Sequence, residues 1–435
     1  MFGTSGIRGP VGDEVTAALA LSVGRALGAD ADRVVVGRDA RESGRALVDA
    51  LTAGLRETGT DAVDLGLAAT PTVARSVGWR DADAGAVVTA SHNPPADNGI
   101  KLWQPSGQAF DGDQRAAIAE RVEADDPPFA SWDAFGDRVH RSGRERHVAA
   151  LVSAVDLDRP LSVVVDAGNG TGGVTADALA RLGCEVETLN ARPDGAFPGR
   201  PSEPTAGNCG SLATLAGETD ADVGIAHDGD ADRMRAATAD GEFLSGDVTL
   251  ALLARAAASE GDHVAAPVDT SLAVDDHLAA AGVEVTRTRV GDVYVAERAS
   301  EDRVAFGGEP SGAWIWPGET LCPDGPLAAC KLVALASERP LAARASDVET
   351  YPIRRDSVDT DEKAAVMERV GERVTAEYDD VSTLDGVRVD LGDAWFLLRA
   401  SGTEPVVRIT AEARDADRAE AVFAEARDLL TDATR

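Results

Sequence analysis

Four short segments carry residues whose types and spacing suit phosphoryl chemistry. Thr89-Ala90-Ser91-His92-Asn93-Pro94 follows the strand-like run Ala84–Val88. A serine just beyond a strand end lies where open α/β sheets bind ligands. Ser, Asn and Pro also favour ordinary turns, so this segment alone leaves a polar turn equally open. Lys101 follows within reach and could carry a proton to or from a hydroxyl. Asp228-Gly229-Asp230-Ala231-Asp232-Arg233 follows a second strand-like run, Ala221–Ala226. Carboxylates at alternate positions around a glycine can converge on one hard cation, and oxygen donors suit Mg²⁺. Without a cation or basic partner, three such close carboxylates would repel. Gly307-Gly308-Glu309-Pro310-Ser311-Gly312 places Glu309 and Ser311 on a glycine-flanked turn. Both could hydrogen-bond vicinal sugar hydroxyls, though a plain turn fits as well. Arg399-Ala400-Ser401-Gly402-Thr403-Glu404-Pro405, with Arg408 beyond, combines two hydroxyls, free N–H groups around glycine, and flanking arginines. That is a phosphate cradle, because the planar guanidinium fork bonds phosphate oxygens in pairs. Gly3 to Gly9 is a further glycine-rich segment whose Arg8 could touch a phosphate; a flexible terminus is its default.

These segments need elements to hold them. Strand, helix, glycine, strand recurs three times, starting at Arg33, Ser162 and His263. That pattern is a βαβ unit of a mostly parallel sheet, and three copies predict three similar α/β domains. The tail reads differently: short strands at 386–391, 394–398 and 406–412, then a helix from about Asp415 to Leu430, predict a small α+β domain. Composition shifts place the domains at 1–143, 144–240, 241–345 and 346–435.

Composition narrows the function classes. The chain has 435 residues and a formal charge of −33. Such acidity argues against nucleic acid and anionic membranes as partners. It fits a solvated surface in a salty, halophilic cytosol, where screening weakens repulsion. Only Lys101, Lys331 and Lys363 are lysines, which singles out Lys101 within its motif. No apolar run reaches membrane-spanning length, and no signal peptide is evident. The four cysteines form no CxxC pair, so a reducing cytoplasm fits. No Walker A, post-strand GxGxxG, HExxH or GxSxG motif occurs, which leaves ATP use, nicotinamide cofactors and serine-hydrolase chemistry without support.

Taken together and in order, the motifs resemble the α-D-phosphohexomutase superfamily over the whole chain. Phe2 to Gly9 and Thr288 to Tyr294 are similar to the phosphoglucosamine mutases of that family. The form Glu309-Pro310-Ser311-Gly312 looks archaeal. Two positions depart: Ala313 stands where bacterial relatives have histidine, and Gly291-Asp292 where phosphomannomutase/phosphoglucomutase relatives often do. The resemblance implies three α/β domains and a mobile fourth around a central cleft. It implies a mutase moving phosphate between the 6- and 1-positions of a hexose, with phosphoglucosamine mutase favoured and a broad phosphomannomutase/phosphoglucomutase the alternative. Ser91 would be a phosphoserine. Mg²⁺ would sit on Ser91, Asp228, Asp230 and Asp232, with Arg233 offsetting charge and Lys101 as acid/base. Arg8, Glu309, Ser311, Arg399, Ser401, Gly402, Thr403 and Arg408 would hold substrate, with a hexose 1,6-bisphosphate as intermediate. A monomer or homodimer is expected. A phosphatase using Asp228, or a non-catalytic phosphosugar sensor, are the readings from other classes.

Overall fold

The computed structural model describes Gly3, residues 6–402 and residues 405–434. Thr403, expected in the phosphate cradle, lies outside the described residues, as do Thr4 and Ser5. Four sheets follow one another along the chain. The first runs Ile7–Pro10, Asp97–Trp103, Ala84–Val88, Arg33–Arg38, Asp61–Leu67, Arg138–His140. Its last four strands are parallel; the first two are added antiparallel at one edge. The second sheet orders Met234–Thr238, Val223–His227, Ser162–Asp166, Glu185–Leu189, and the third Glu284–Thr288, His263–Pro267, Val304–Gly308, Trp314–Ile315. Each is parallel except for one antiparallel edge strand. The expected mixed-sheet α/β repeat is therefore present three times.

The parallel strands read as near-continuous apolar runs because helices cover both faces. Val34, Val35 and Val36, and likewise Val163, Val164 and Val165, are all essentially inaccessible. The second and third sheets share one core with the helices Gly246–Ala257 and Gly325–Glu338. They cannot be packed independently.

Asp324 ties these sheets to the first. It caps the helix Gly325–Glu338, accepting from Leu327 N at 2.9 Å through Oδ1. Its Oδ2 accepts from Arg75 Nε at 2.7 Å and lies 3.1 Å from His147 Nε2, and all three side chains are buried. Burial alone would raise the Asp324 pKa; His147 and Arg75 reverse that and hold it below the usual carboxylate range. Asp324→Ala strands a buried guanidinium, so we expect a loss of about 3–5 kcal/mol in urea unfolding. A loss under about 1 kcal/mol would show that this junction does not hold the domains.

The fourth sheet is wholly antiparallel: Ile353–Asp359, Val406–Ala413, Ala394–Ala400, Val387–Asp390, Val381–Ser382. With the helices Lys363–Glu377 and Ala416–Ala433 it builds a core of its own. It meets the rest through buried Glu412, which accepts from Leu272 N at 2.8 Å, from Ser271 Oγ, and from Trp395 Nε1 at 2.6 Å. Glu412 thus supplies acceptors at the start of the helix Leu272–Ala279. Arg414 adds an ion pair to Asp276 at 2.6 Å. Among the described residues, no helix is long and apolar enough to cross a membrane.

Candidate active site

The Ser91 loop and the aspartate loop leave different sheets at strand ends and meet. Ser91 Oγ donates to Asp228 Oδ2 at 2.5 Å. Ser91 is 1% exposed and adopts φ +50°, a left-handed conformation uncommon for a side chain of this kind. Ala231, in the partner loop, does the same at φ +56°. Such residues persist where their surroundings over-determine them, and they cluster at functional sites. Gly229 is required by the close approach: a Cβ there would stand 2.8 Å from Ser202 Oγ and 2.9 Å from Ser91 O.

Lys101 sits on the added strand Asp97–Trp103. The strand carries its ammonium between two carboxylates: Nζ donates to Asp230 Oδ2 at 2.9 Å and to Asp232 Oδ2. Asp230 is also fixed by Thr70, whose Oγ1 donates to Oδ2 at 2.6 Å and whose N–H donates to its carbonyl at 2.8 Å. Thr70 carries no motif signal that would have found it. Burial pushes the Asp228 carboxyl well above its usual range, and the Asp232 and Asp230 charges push it further. Burial would raise Asp230 too, but Lys101 and Thr70 outweigh it and Asp230 is lowered. Burial would lower Lys101; Asp230 and Asp232 outweigh that and raise it. The two carboxylates therefore hold Lys101 as an ammonium. Burial would likewise lower Arg233, and Asp228 and Asp232 raise it. Beside Ser91, His92 Nδ1 lies 3.4 Å from Oγ. Arg233, then burial, Arg8 and Lys101 drive the His92 pKa down to about 2, so its ring is neutral.

The three aspartates each present an oxygen within 4.8 Å of the others. Lys101 does not exhaust them: buried Asp230 Oδ1 and Asp232 Oδ1 have no hydrogen-bond partner. Orphaned hard oxygens converging on one point fit a hard divalent cation.

Glu309 and Ser311 dock beside this cluster. Met234 N donates to Gly312 O at 2.9 Å, joining the sugar-type loop to the end of the aspartate loop. Glu309 Oε1 accepts from Gly291 N at 2.6 Å and Oε2 from Ser311 Oγ at 3.1 Å. Burial, then Asp292, raises the Glu309 pKa to about 7. A raised carboxyl pKa means stability present at low pH and lost as pH rises through about 7. The gap from the ordinary value is worth at most about 3 kcal/mol. Glu309→Gln should therefore unfold with a flatter stability profile between pH 5 and 8 than the parent, and parallel profiles would refute the shift.

From Ile7 the N-terminal segment is an edge strand, Ile7–Pro10, paired with Asp97–Ile100. Arg8 Nη1 donates to Asn93 Oδ1 in the serine loop at 3.1 Å. The fourth cradle stands apart. Arg399 and Arg408 face each other directly across two strands. Ser401 N donates to Val406 O at 2.9 Å, and Lys363 Nζ to Ser401 O at 2.6 Å. Gly402 has open space where a side chain would be. Arg399 Nη1 lies 3.5 Å from Asp385 Oδ2. It also lowers the pKa of Asp269, which burial raises, and Asp269 in turn acts on Glu309. Arg399, Asp269 and Glu309 are thus close enough to act on one another electrostatically.

Comparison with known proteins places the whole arrangement. Models of phosphoglucomutase/phosphomannomutase α/β/α domains I, II and III match residues 1–128, 145–241 and 245–351, and the C-terminal domain model matches 356–429. The chain belongs to the phosphoglucomutase/phosphomannomutase family. Curated family members at 45% and 44% identity are the probable phosphoglucosamine mutases of Methanopyrus kandleri and Methanococcoides burtonii. Each alignment covers 100% of this chain, and 97% and 99% of the relative. A solved phosphoglucomutase/phosphomannomutase family protein from Burkholderia thailandensis superposes with a TM-score of 0.89 at 29% identity, covering 100% of this chain and 98% of its own. This four-domain family architecture is the one the sequence predicts.

Proposed function

We propose that this member of the family is a phosphohexomutase acting on glucosamine phosphate, exchanging phosphate between the 6- and 1-positions through phosphorylated Ser91. The observation that carries the reading is the position of Ser91 Oγ, 2.5 Å from Asp228 in a buried three-carboxylate cluster, with an arginine-flanked cradle on a separate domain. A hydrolase needs no second phosphate holder; a mutase does, because one phosphate must be gripped while the other moves. The relatives' names support glucosamine phosphate as substrate.

Arg399, Ser401, Gly402, Thr403 and Arg408 hold the substrate's existing phosphate, and Arg8 steadies the serine loop through Asn93. Glu309, near half ionised at neutral pH, can accept from or donate to a ring hydroxyl, and Ser311 fixes its orientation. The phosphoryl leaves Ser91 Oγ and bonds to the free sugar hydroxyl; that hydroxyl loses its proton and Ser91 Oγ regains one. The resulting 1,6-bisphosphate turns end for end, and the opposite phosphate returns to Ser91. When that P–O bond breaks, Lys101 Nζ donates its proton to the sugar oxygen, and microscopic reversibility makes the neutral amine the base of the opposite transfer. Arg233 offsets charge spread over the phosphoryl oxygens, which this loose transition state mainly requires. Asp228, Asp230 and Asp232 would hold Mg²⁺, which when bound polarises and neutralises phosphoryl oxygens.

Two measurements test the proposal. Intact mass of the purified protein should show one added phosphate, lost in Ser91→Ala. Interconversion of glucosamine 6- and 1-phosphates should outrun that of glucose and mannose phosphates. Equal rates on all three would replace the glucosamine assignment with broad hexose specificity. The charge of −33 adds a salt dependence: dialysis into low salt should loosen the fold.

A further inference from the structure

One side chain fastens the Ser91 loop from within. Arg41 is inaccessible to solvent, and its guanidinium uses all five of its donors. Nε donates to Asp39 Oδ2 at 3.0 Å. Nη1 donates to the carbonyls of Pro94 at 2.5 Å and Asp97 at 2.9 Å. Nη2 donates to the carbonyls of Ser91 at 2.8 Å and Asn93 at 2.7 Å. From the other side, Asp39 Oδ2 accepts from Thr89 Oγ1 at 2.7 Å, and that oxygen accepts the N–H of Ser91 at 2.8 Å. Both the N–H and the C=O of Ser91 are thereby tied to one buried Asp39–Arg41 pair. Ser202 Oγ donates to the same Ser91 carbonyl at 2.8 Å and accepts from Gly229 N at 3.0 Å. The serine loop is thus registered against the aspartate loop as well.

Holding serine in the left-handed region costs about 1–2 kcal/mol, so Ser91 would relax to another conformation if released. A purely structural role would need Arg41 only to satisfy buried carbonyls anywhere in the loop. Here one Arg41 bond and the Thr89 bond fall on the two peptide groups that set the Ser91 backbone, and so the direction of Oγ, while the other three Arg41 carbonyl bonds hold the loop that follows. We propose that Asp39, Arg41 and Thr89 form a positioning clamp that aims Ser91 Oγ for phosphoryl exchange. The proposal rests on Ser91 being the phosphoryl carrier. Lysine cannot replace Arg41, because an ammonium has three donors and no planar fork to span four carbonyls.

The test uses Arg41→Lys, Thr89→Val and Thr89→Ser in the full chain. We would measure kcat, KM for the hexose 6-phosphate, the thermal transition, and the rate at which dephosphorylated enzyme takes phosphate from hexose 1,6-bisphosphate, read by intact mass. Misaiming a reacting atom by an ångström typically costs about 100-fold, so R41K and T89V should each lose about that factor in kcat and in rephosphorylation rate. KM should stay within about threefold, since substrate binding is not touched. T89S keeps the hydroxyl and should recover to within about threefold of the parent. The clamp is overturned if folded T89V turns over within about threefold of the parent, if the loss falls in KM, or if T89S is as impaired as T89V. Should R41K fail to fold, the Thr89 pair still decides. Ser91→Ala separates the two ideas. If it stays active, the carrier reading falls; if it is dead while T89V is active, only the clamp falls.

Discussion

Ser91→Ala should lower hexose phosphate interconversion by at least about 10⁴-fold, because removing a covalent carrier removes the only route by which its steps are linked. Among the described residues, the two hydroxyls bonded to the Ser91 backbone are not free to take over. Thr89 Oγ1 is committed to Asp39 and to the Ser91 N–H, and Ser202 Oγ to the Ser91 carbonyl and Gly229. The variant should nevertheless fold. It loses the hydrogen bond to Asp228 and the longer contact with His92 Nδ1, and the backbone ties around position 91 do not involve the side chain. A stability change of about 1 kcal/mol is expected. Coupled-assay turnover near that of the parent, with a normal unfolding transition, would remove Ser91 from the mechanism.

Lys101→Met should act on turnover and on stability together. Loss of a positioned acid/base group costs about 10²–10⁴-fold in rate. The larger consequence is electrostatic. Lys101 is 5% exposed and neutralises Asp230 and Asp232, themselves buried. Deleting one partner of a buried ion pair costs about 3–5 kcal/mol. The stranded carboxylates would have raised pKa values, so the deficit should grow as pH rises. Mg²⁺ should restore part of the loss, since a ligand that binds only the folded state stabilises it by mass action. Denaturant midpoints with and without Mg²⁺ measure this directly. A variant whose midpoint ignores Mg²⁺ would argue against a cation on the three aspartates.

The sequence made some of this site plain and hid the rest for physical reasons. Ser91 and Asp228–Arg233 were visible because each polar motif interrupts an apolar strand, and a strand end fixes where a side chain can go. Lys101 was legible as a candidate but not as an ammonium, since its charge depends on carboxylates 129 and 131 positions away. Arg41 carries no motif signal in the sequence. Its partners are mostly backbone carbonyls, which leave no trace in residue types. Ser202 escaped for the same reason. The edge strand Ile353–Asp359 was missed because its charged, half-exposed residues have no apolar face to count. The helix Lys363–Glu377 could have been found, since Val366, Val370 and Val374 recur every four residues on its buried side.

The self-contained core of the fourth sheet bears on how the enzyme is made. The shared core of the second and third sheets closes at Val348, before any strand of the fourth. A chain leaving the ribosome therefore completes the Ser91–Asp228 pocket first, while Arg399 and Arg408 are still unsynthesised. Until Glu412 meets Ser271 and Leu272, that pocket exists without the arginine pair of the fourth sheet. The proposed phosphate carrier and the proposed phosphate cradle therefore come together only when the last domain docks.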